Sequence, residues 1–288
     1  MNNSMQESMV FPEGIKKITL KRRHGLGNVI CLLPVLEALT EQGIETTVVT
    51  RSEWISTFTE LMPKINWRTS GPDPQIDLDL LTESLEPQEH RSDELGRLVG
   101  LRPPFEAPRL DVPEKWQQPF KKLQGAIVFA PEGGHQSRQW PHKKAQALKQ
   151  QFPDEMLVLI GTETEPAISC DLDLRSQLHL KDLMAVLALA KTAITMDSGV
   201  LHIAAAIGTP TVALFGGIDP THRIRKDQNV VVLHSDLACF PCNKNETCDG
   251  QYPCIKSPQP EDVAAALIQG QGTAGRKKIK IPACQPAL

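Results

Sequence analysis

Residues 16–50, KKITLKRRHGLGNVICLLPVLEALTEQGIETTVVT, restrict the fold more than any other stretch of this chain. The run ITL reads as a strand and GLG as the turn that ends it. Ile30, Leu33, Leu36 and Leu39 then recur at helical spacing before a second short strand, TTVVT. Strand, glycine turn, helix and strand in that order form a β-α-β unit, and such units build parallel sheets with helices on their faces. The same order returns in residues 194–217, ITMDSGVLHIAAAIGTPTVALFGG. The chain is therefore expected to be α/β, with ligands outside the carboxyl ends of its strands.

A chain of 288 residues suits two domains of roughly 100–200 residues each. The proline-rich stretch LRPPFEAPRLDVPEKWQQPF, residues 101–120, reads as their connection. This sets an N-terminal Rossmann-like domain over 16–115 and a C-terminal one over 116–270, with flexible ends at 1–15 and 271–288. In the first, a strand is expected near Ile76–Leu80 and a helix in HRSDELGRLVGL, residues 90–101. In the second, strands are expected in GAIVFAPEGG, EMLVLIG and QNVVVLHS, and helices in HKKAQALKQQF, KDLMAVLALAKT and QPEDVAAALIQ. A net charge of -3 and 5% aromatic residues argue against a nucleic-acid surface. The opening residues lack a basic segment followed by an apolar run, and no apolar stretch nears the ~20 residues that span a bilayer. The expected compartment is the cytoplasm, where stable disulfides are uncommon.

The chemistry concentrates in residues 194–217. A strand ends at Met196, and Asp197 or Ser198 can cap the helix that follows. Gly199 lets a ligand approach the backbone, and the helix N-terminus offers unpaired N–H groups and a positive dipole end, a seat for a diphosphate. His202 is expected on the first turn, facing the same space. The plainer alternative is a capped helix with a structural histidine.

Three segments in order then decide between these. DSGVLHIAAAIGTPTVALFG (197–216), GLGNVICLLPVLEAL (25–39) and RQWP (138–141) resemble the signatures of glycosyltransferase family 9, the ADP-heptose:lipopolysaccharide heptosyltransferases, and the resemblance covers residues 16–268. It implies a GT-B fold: two Rossmann-like domains with parallel sheets facing an interdomain cleft, acceptor on the N-terminal domain and nucleotide sugar on the C-terminal one. It implies inverting transfer of a sugar, heptose from ADP-heptose being favoured, to a hydroxyl of lipopolysaccharide core, another glycan or a protein. Carried over by position, Gly27, Asp197, Ser198, Gly199 and His202 bind the donor. Arg138 replaces the family's lysine, which exchanges a point charge for a planar fork. In LVLIGTETEP, Glu165, or else Glu163, is the candidate for the nucleotide ribose.

The family usually carries aspartate where this chain has Asn28. A neutral amide cannot take the acceptor proton. The base is then expected at Asp79, or second at Asp77, or Asn28 only orients the acceptor, or transfer is lost and nucleotide-sugar binding kept. The cations of LKRRH, residues 20–24, either meet a charged ligand or form a solvated strand end.

Cys239, Cys242, Cys248 and Cys254, in CFPCNKNETCDGQYPC, hold four of the seven cysteines. Four thiolates at this spacing suit a tetrahedral structural Zn or Fe without an open position, so no catalytic metal is expected. The resemblance points the same way, because the autotransporter heptosyltransferase branch carries such a set and binds iron. A zinc finger for DNA is disfavoured, since the loop has one Lys and no Arg. Cys31 and Cys170 read as plain thiols.

Overall fold

The computed structural model describes residues 14–71, 74–83, 88–163, 166–243, 248–270 and 275–282. The chain divides into two compact units that meet in sequence between Pro108 and Arg109. Among the described residues no helix is long and apolar enough to cross a membrane.

The first unit runs β1 (Lys17–Lys21), α1 (Leu26–Glu41), β2 (Glu45–Val49), α2 (Ser52–Leu61), β3 (Asn66–Arg68), β4 (Ile76–Asp77), α3 (Leu78–Glu83) and α4 (Arg91–Leu98). Its sheet has the order β3-β2-β1-β4, with every pairing parallel. Ile30, Leu33, Leu36 and Leu39 are buried as their spacing predicts, and so are Val29, Cys31, Leu32 and Val35. A helix apolar on all sides must be covered on all sides. α1 is accordingly packed against α4 as well as its own sheet. α4 buries Arg91 and Glu94 as a pair 2.7 Å apart, which limits the cost of removing both charges from water.

The strand expected to reach Leu80 stops at Asp77. The Asp77 Oδ1 accepts the backbone N–H groups of Asp79 and Leu80, at 3.1 and 3.2 Å, and so starts α3 instead. Alternation therefore ends at Asp77, and Asp77 and Asp79 do not share a strand face.

The second unit runs α5 (Glu114–Gln117), β5 (Ile127–Ala130), α6 (His142–Ala147), β6 (Leu157–Leu159), β7 (Leu172–Asp173), α7 (Leu180–Leu189), β8 (Thr192–Met196), α8 (Gly199–Ile207), β9 (Thr211–Phe215), β10 (Val230–Ser235), α9 (Pro253–Lys256), α10 (Pro260–Gly270) and β11 (Lys277–Ile281). Its parallel sheet has the order β11-β10-β9-β8-β5-β6-β7. β8 and β9 are buried at every residue, the mark of a central parallel strand covered on both faces.

The basic tail, expected to be flexible, supplies β11. Lys277 to Ile281 pair in parallel with Val231 to Ser235 after the α10 crossover. Ile279 and Ile281 reach the core while Lys278 and Lys280, on the opposite face, stay exposed. Period-2 alternation inside a charged run was the signal, and the lysines masked it. On an edge strand such charges also discourage pairing with another chain.

Candidate functional site

Both sheets reverse their winding once. In the second unit β5, β6 and β7 are added in one direction, and β8 to β11 in the other. The crevice at the carboxyl ends of β5 and β8 is where such a sheet can admit a ligand. The loop after β5 carries Arg138 and the loop after β8 carries Asp197, so the reversal brings together two side chains 59 positions apart in sequence. Arg138 Nε lies 3.6 Å from Asp197 Oδ2, and its Nη1 donates to the Asp197 carbonyl at 3.3 Å. Arg223, which sequence motifs did not single out, approaches the other carboxylate oxygen: its Nε is 3.8 Å from Oδ1. Asp197 is 2% exposed.

These contacts change the expected role of Asp197. The residue at the N-cap of α8 is Ser198, and it makes no side-chain cap hydrogen bond. The Asp197 carboxylate is engaged by the arginines instead of the helix. Ser198 Oγ, Asp197 Oδ2 and Arg138 Nε are buried without a hydrogen-bond partner among the described residues. Uncapped N–H groups beside two guanidinium groups and one carboxylate give net positive charge and unused donors, which suit an anionic ligand with hydroxyl groups. Gly199 opens α8, and His202 is buried one turn along it.

The surrounding loops are built around glycine. A side chain at Gly216 would strike the Ser137 carbonyl, and one at Gly217 the Cys242 sulfur, so the end of β9 lies against both the Arg138 turn and the cysteine loop. The Trp140 of RQWP is a support: it donates to the Pro258 carbonyl at 2.9 Å and packs edge-on to Phe129. Glu132, also missed in the sequence, accepts from Thr162 N, Thr162 Oγ1 and Glu163 N at 2.9, 2.8 and 2.7 Å. It thereby shapes the loop after β6. Glu163 is exposed there, while Glu165 lies outside the described residues.

In the first unit β1, β2 and β3 wind one way and β4 returns to the other side of β1. A polar pocket of about 400 Å³ sits at that reversal, lined by Lys21, Arg23, His24, Arg51, Ser52, Glu53 and Asp79. Asp79 is 2% exposed, and its carboxylate accepts the N–H groups of Arg23 and His24 at 2.9 and 3.0 Å and the Arg22 guanidinium at 3.3 Å. The carboxylate expected as general base thus also clamps the loop between β1 and α1, at the wall of that pocket. Asp77 is likewise engaged, by Lys21 Nζ at 2.8 Å and by the α3 N–H groups. Burial pushes its carboxyl up, but the Lys21 ammonium and those N–H groups outweigh this and hold it below its ordinary value. A carboxyl held low is a weak base. Asn28 Nδ2 donates to the His24 carbonyl at 3.2 Å on the first turn of α1, next to Gly27. Gly27, expected among the donor ligands, belongs to this unit.

Cys239, Cys242, Cys248 and Cys254 all line one pocket of about 420 Å³, together with His135, Arg138, Phe240 and Tyr252. Burial, and then its cysteine neighbours, push the Cys254 thiol up to about 11. Among the described residues, however, no three His, Cys, Asp or Glu side chains are gathered as a metal-binding group. The donor chemistry fits a soft ion; the closed tetrahedral set expected from the spacing is not formed. Residues 244–247, between the second and third cysteines, lie outside the described residues. Cys31 is buried and forms no disulfide, and burial raises the Cys170 thiol.

Comparison with known proteins agrees with this geometry. The model of glycosyltransferase family 9 (heptosyltransferase) matches residues 99–252. Over 75 residues the chain is 39% identical to lipopolysaccharide heptosyltransferase 1 of Pseudomonas aeruginosa, a match covering 26% of this chain and 21% of that protein. The chain covers less than half of each of the other curated heptosyltransferases it matches. A family 9 glycosyltransferase from Veillonella parvula superposes with a TM-score of 0.70 at 16% identity, over 88% of this chain and 97% of that one. TibC of enterotoxigenic Escherichia coli, an iron-containing dodecameric glycosyltransferase, superposes with a TM-score of 0.69 at 13% identity, over 89% and 76%. TibC has also been solved with ADP-D-β-D-heptose. At such identities the likeness carries the fold, two Rossmann-like units with parallel sheets as in the GT-B class.

Proposed function

Because the chain belongs to glycosyltransferase family 9, whose model matches more than half of it, we propose that it transfers a heptosyl group from ADP-heptose to a hydroxyl acceptor. The observation that carries this is the pairing of Arg138 and Asp197 at the uncapped start of α8, at the winding reversal of the second sheet. Arg138 and the α8 N–H groups bind the diphosphate, with Ser198 and Gly199 beside them. Asp197 and His202 take sugar hydroxyls, and Glu165 or Glu163 takes the ribose. In the transfer, a bond forms between the acceptor oxygen and the anomeric carbon. The bond from that carbon to the diphosphate oxygen breaks, ADP leaves with its electron pair, and the acceptor proton passes to a base. A single displacement of this kind inverts the anomeric centre.

The first unit takes the acceptor. Around one pocket the cations Lys21, Arg23 and Arg51 outnumber the carboxylates Glu53 and Asp79, which favours an acceptor with acidic groups, such as lipopolysaccharide core, over a neutral glycan or protein hydroxyl. Asn28 orients it. A second reading is favoured by a specific observation: Asn28 replaces the usual carboxylate, and Asp77 and Asp79 are both occupied by other donors. This reading keeps nucleotide-sugar binding and omits transfer. ADP release from ADP-heptose, measured with core oligosaccharide, neutral glycan and protein acceptors, separates the two. Acceptor-dependent release supports transfer, and saturable binding without release for any acceptor supports the second reading.

The proposal includes a structural Fe or Zn held by Cys239, Cys242, Cys248 and Cys254. Support comes from the shared pocket, and TibC offers an iron-containing protein of like fold. Such an ion would fix the loop against Gly217, and its binding would displace the Cys254 proton. Protein purified without added metal is expected to hold about one equivalent of Fe or Zn by elemental analysis. Less than about half an equivalent, with four titratable thiols in the loop, would count against the site.

A further inference from the structure

The proposed donor site contains a buried cation that the family signatures do not mark. Arg223 is 8% exposed and follows a short 3-10 turn, Pro220–His222. That turn is fixed at both ends. Asp219 Oδ1 accepts from Thr221 N and Thr221 Oγ1, both at 2.8 Å, and Arg223 N donates to the Pro220 carbonyl at 3.1 Å. Asp219 is in turn placed by the cysteine loop: its N–H donates to Asn243 Oδ1 at 2.9 Å, while Asn243 N donates to the Gly217 carbonyl at 2.8 Å.

From this base Arg223 reaches Asp197 Oδ1, and Arg138 approaches Oδ2 from the loop after β5. The two contacts are not equivalent. The Arg138 side chain is one-third exposed, and the Arg223 side chain is 9% exposed. A ligand can compete for Arg138, but Arg223 is closed in by its own unit. When an anionic donor draws Arg138 away, a 2% exposed carboxylate would keep one compensating charge only if Arg223 stays.

We infer that Arg223 is a positioning residue of the donor site: it holds Asp197 in place so that Arg138 is released to the diphosphate. This role rests on the proposed nucleotide-sugar site. It acts through Asp197, so its effect must depend on the Asp197 charge.

The test is a double-mutant cycle of Arg223→Gln and Asp197→Asn in the full chain, read by ADP-heptose titration and by KM and kcat. In the wild-type background, Arg223→Gln is expected to weaken ADP-heptose binding roughly tenfold and to raise KM more than it lowers kcat. In the Asp197→Asn background the same change is expected to cost less than about twofold. Arg223→Lys should recover part of the loss. If Asp197→Asn binds too weakly to titrate, the ligand-free unfolding midpoints of the four proteins read the same coupling. If Arg223→Gln does not fold, Arg223→Lys takes its place in the cycle. Equal effects in both backgrounds, or unchanged binding in Arg223→Gln, would overturn this role while leaving the donor site standing. A wild-type chain that binds no nucleotide sugar would overturn both.

Discussion

Asp79→Ala is expected to destabilise the first unit by about 3–5 kcal/mol, because it removes one partner from a buried ion pair. Arg22 is 2% exposed, and burial lowers its affinity for a proton by more than the Asp79 carboxylate raises it. Without the carboxylate the guanidinium retains hydrogen bonds to the Leu78 carbonyl, at 2.8 Å, and the Thr82 hydroxyl, at 2.7 Å, among the described residues. The N–H groups of Arg23 and His24 lose their acceptor as well. A loss of this size is a large fraction of an ordinary domain's stability. The urea unfolding midpoint measures it. A variant as stable as wild type but devoid of transfer activity would show that Asp79 is a base after all.

Arg138→Ala should act in the opposite way. Its side chain is one-third exposed, and no described hydrogen bond depends on it apart from the one to the Asp197 carbonyl. Stability should change little. Binding of a nucleotide diphosphate should fall by about 2–4 kcal/mol, roughly 30- to 1,000-fold in Kd, as expected when a charge partner is truncated. Arg138→Lys should lose much less, because a cation remains even though the fork does not. ADP titration by calorimetry decides this, and loss of binding that tracks loss of folding would contradict it.

The parallel strands and the helices between them were legible in the sequence because apolar periodicity and glycine turns are local signals. α1 illustrates this, since its four spaced apolar residues are all buried. Asp197 and Arg138 were legible through motifs, while their contact is a product of sheet order. Arg223 and Glu132 left no local signal. Arg223 is defined by a carboxylate 26 positions away, and Glu132 by N–H groups at Thr162 and Glu163. Asp79 was legible as an acidic residue after a strand, but its engagement by the loop between β1 and α1 appears only in the fold. β11 was hidden because three lysines outweigh two isoleucines in composition, although burial follows the alternation.

The cysteine loop stands between these cases. Its spacing is a strong local signal, and its four cysteines line one pocket with Arg138. Asn243 links it to the turn that carries Arg223, so whatever fixes the loop also steadies the proposed donor site.

Equilibrium titration of the full chain with ADP-heptose, alongside Arg138→Ala, tests the central claim most directly. Saturable binding by wild type, competed by ADP and lost in a folded Arg138→Ala chain, is the predicted result. Binding that survives in Arg138→Ala, or no binding of any nucleotide diphosphate sugar by wild type, would contradict it.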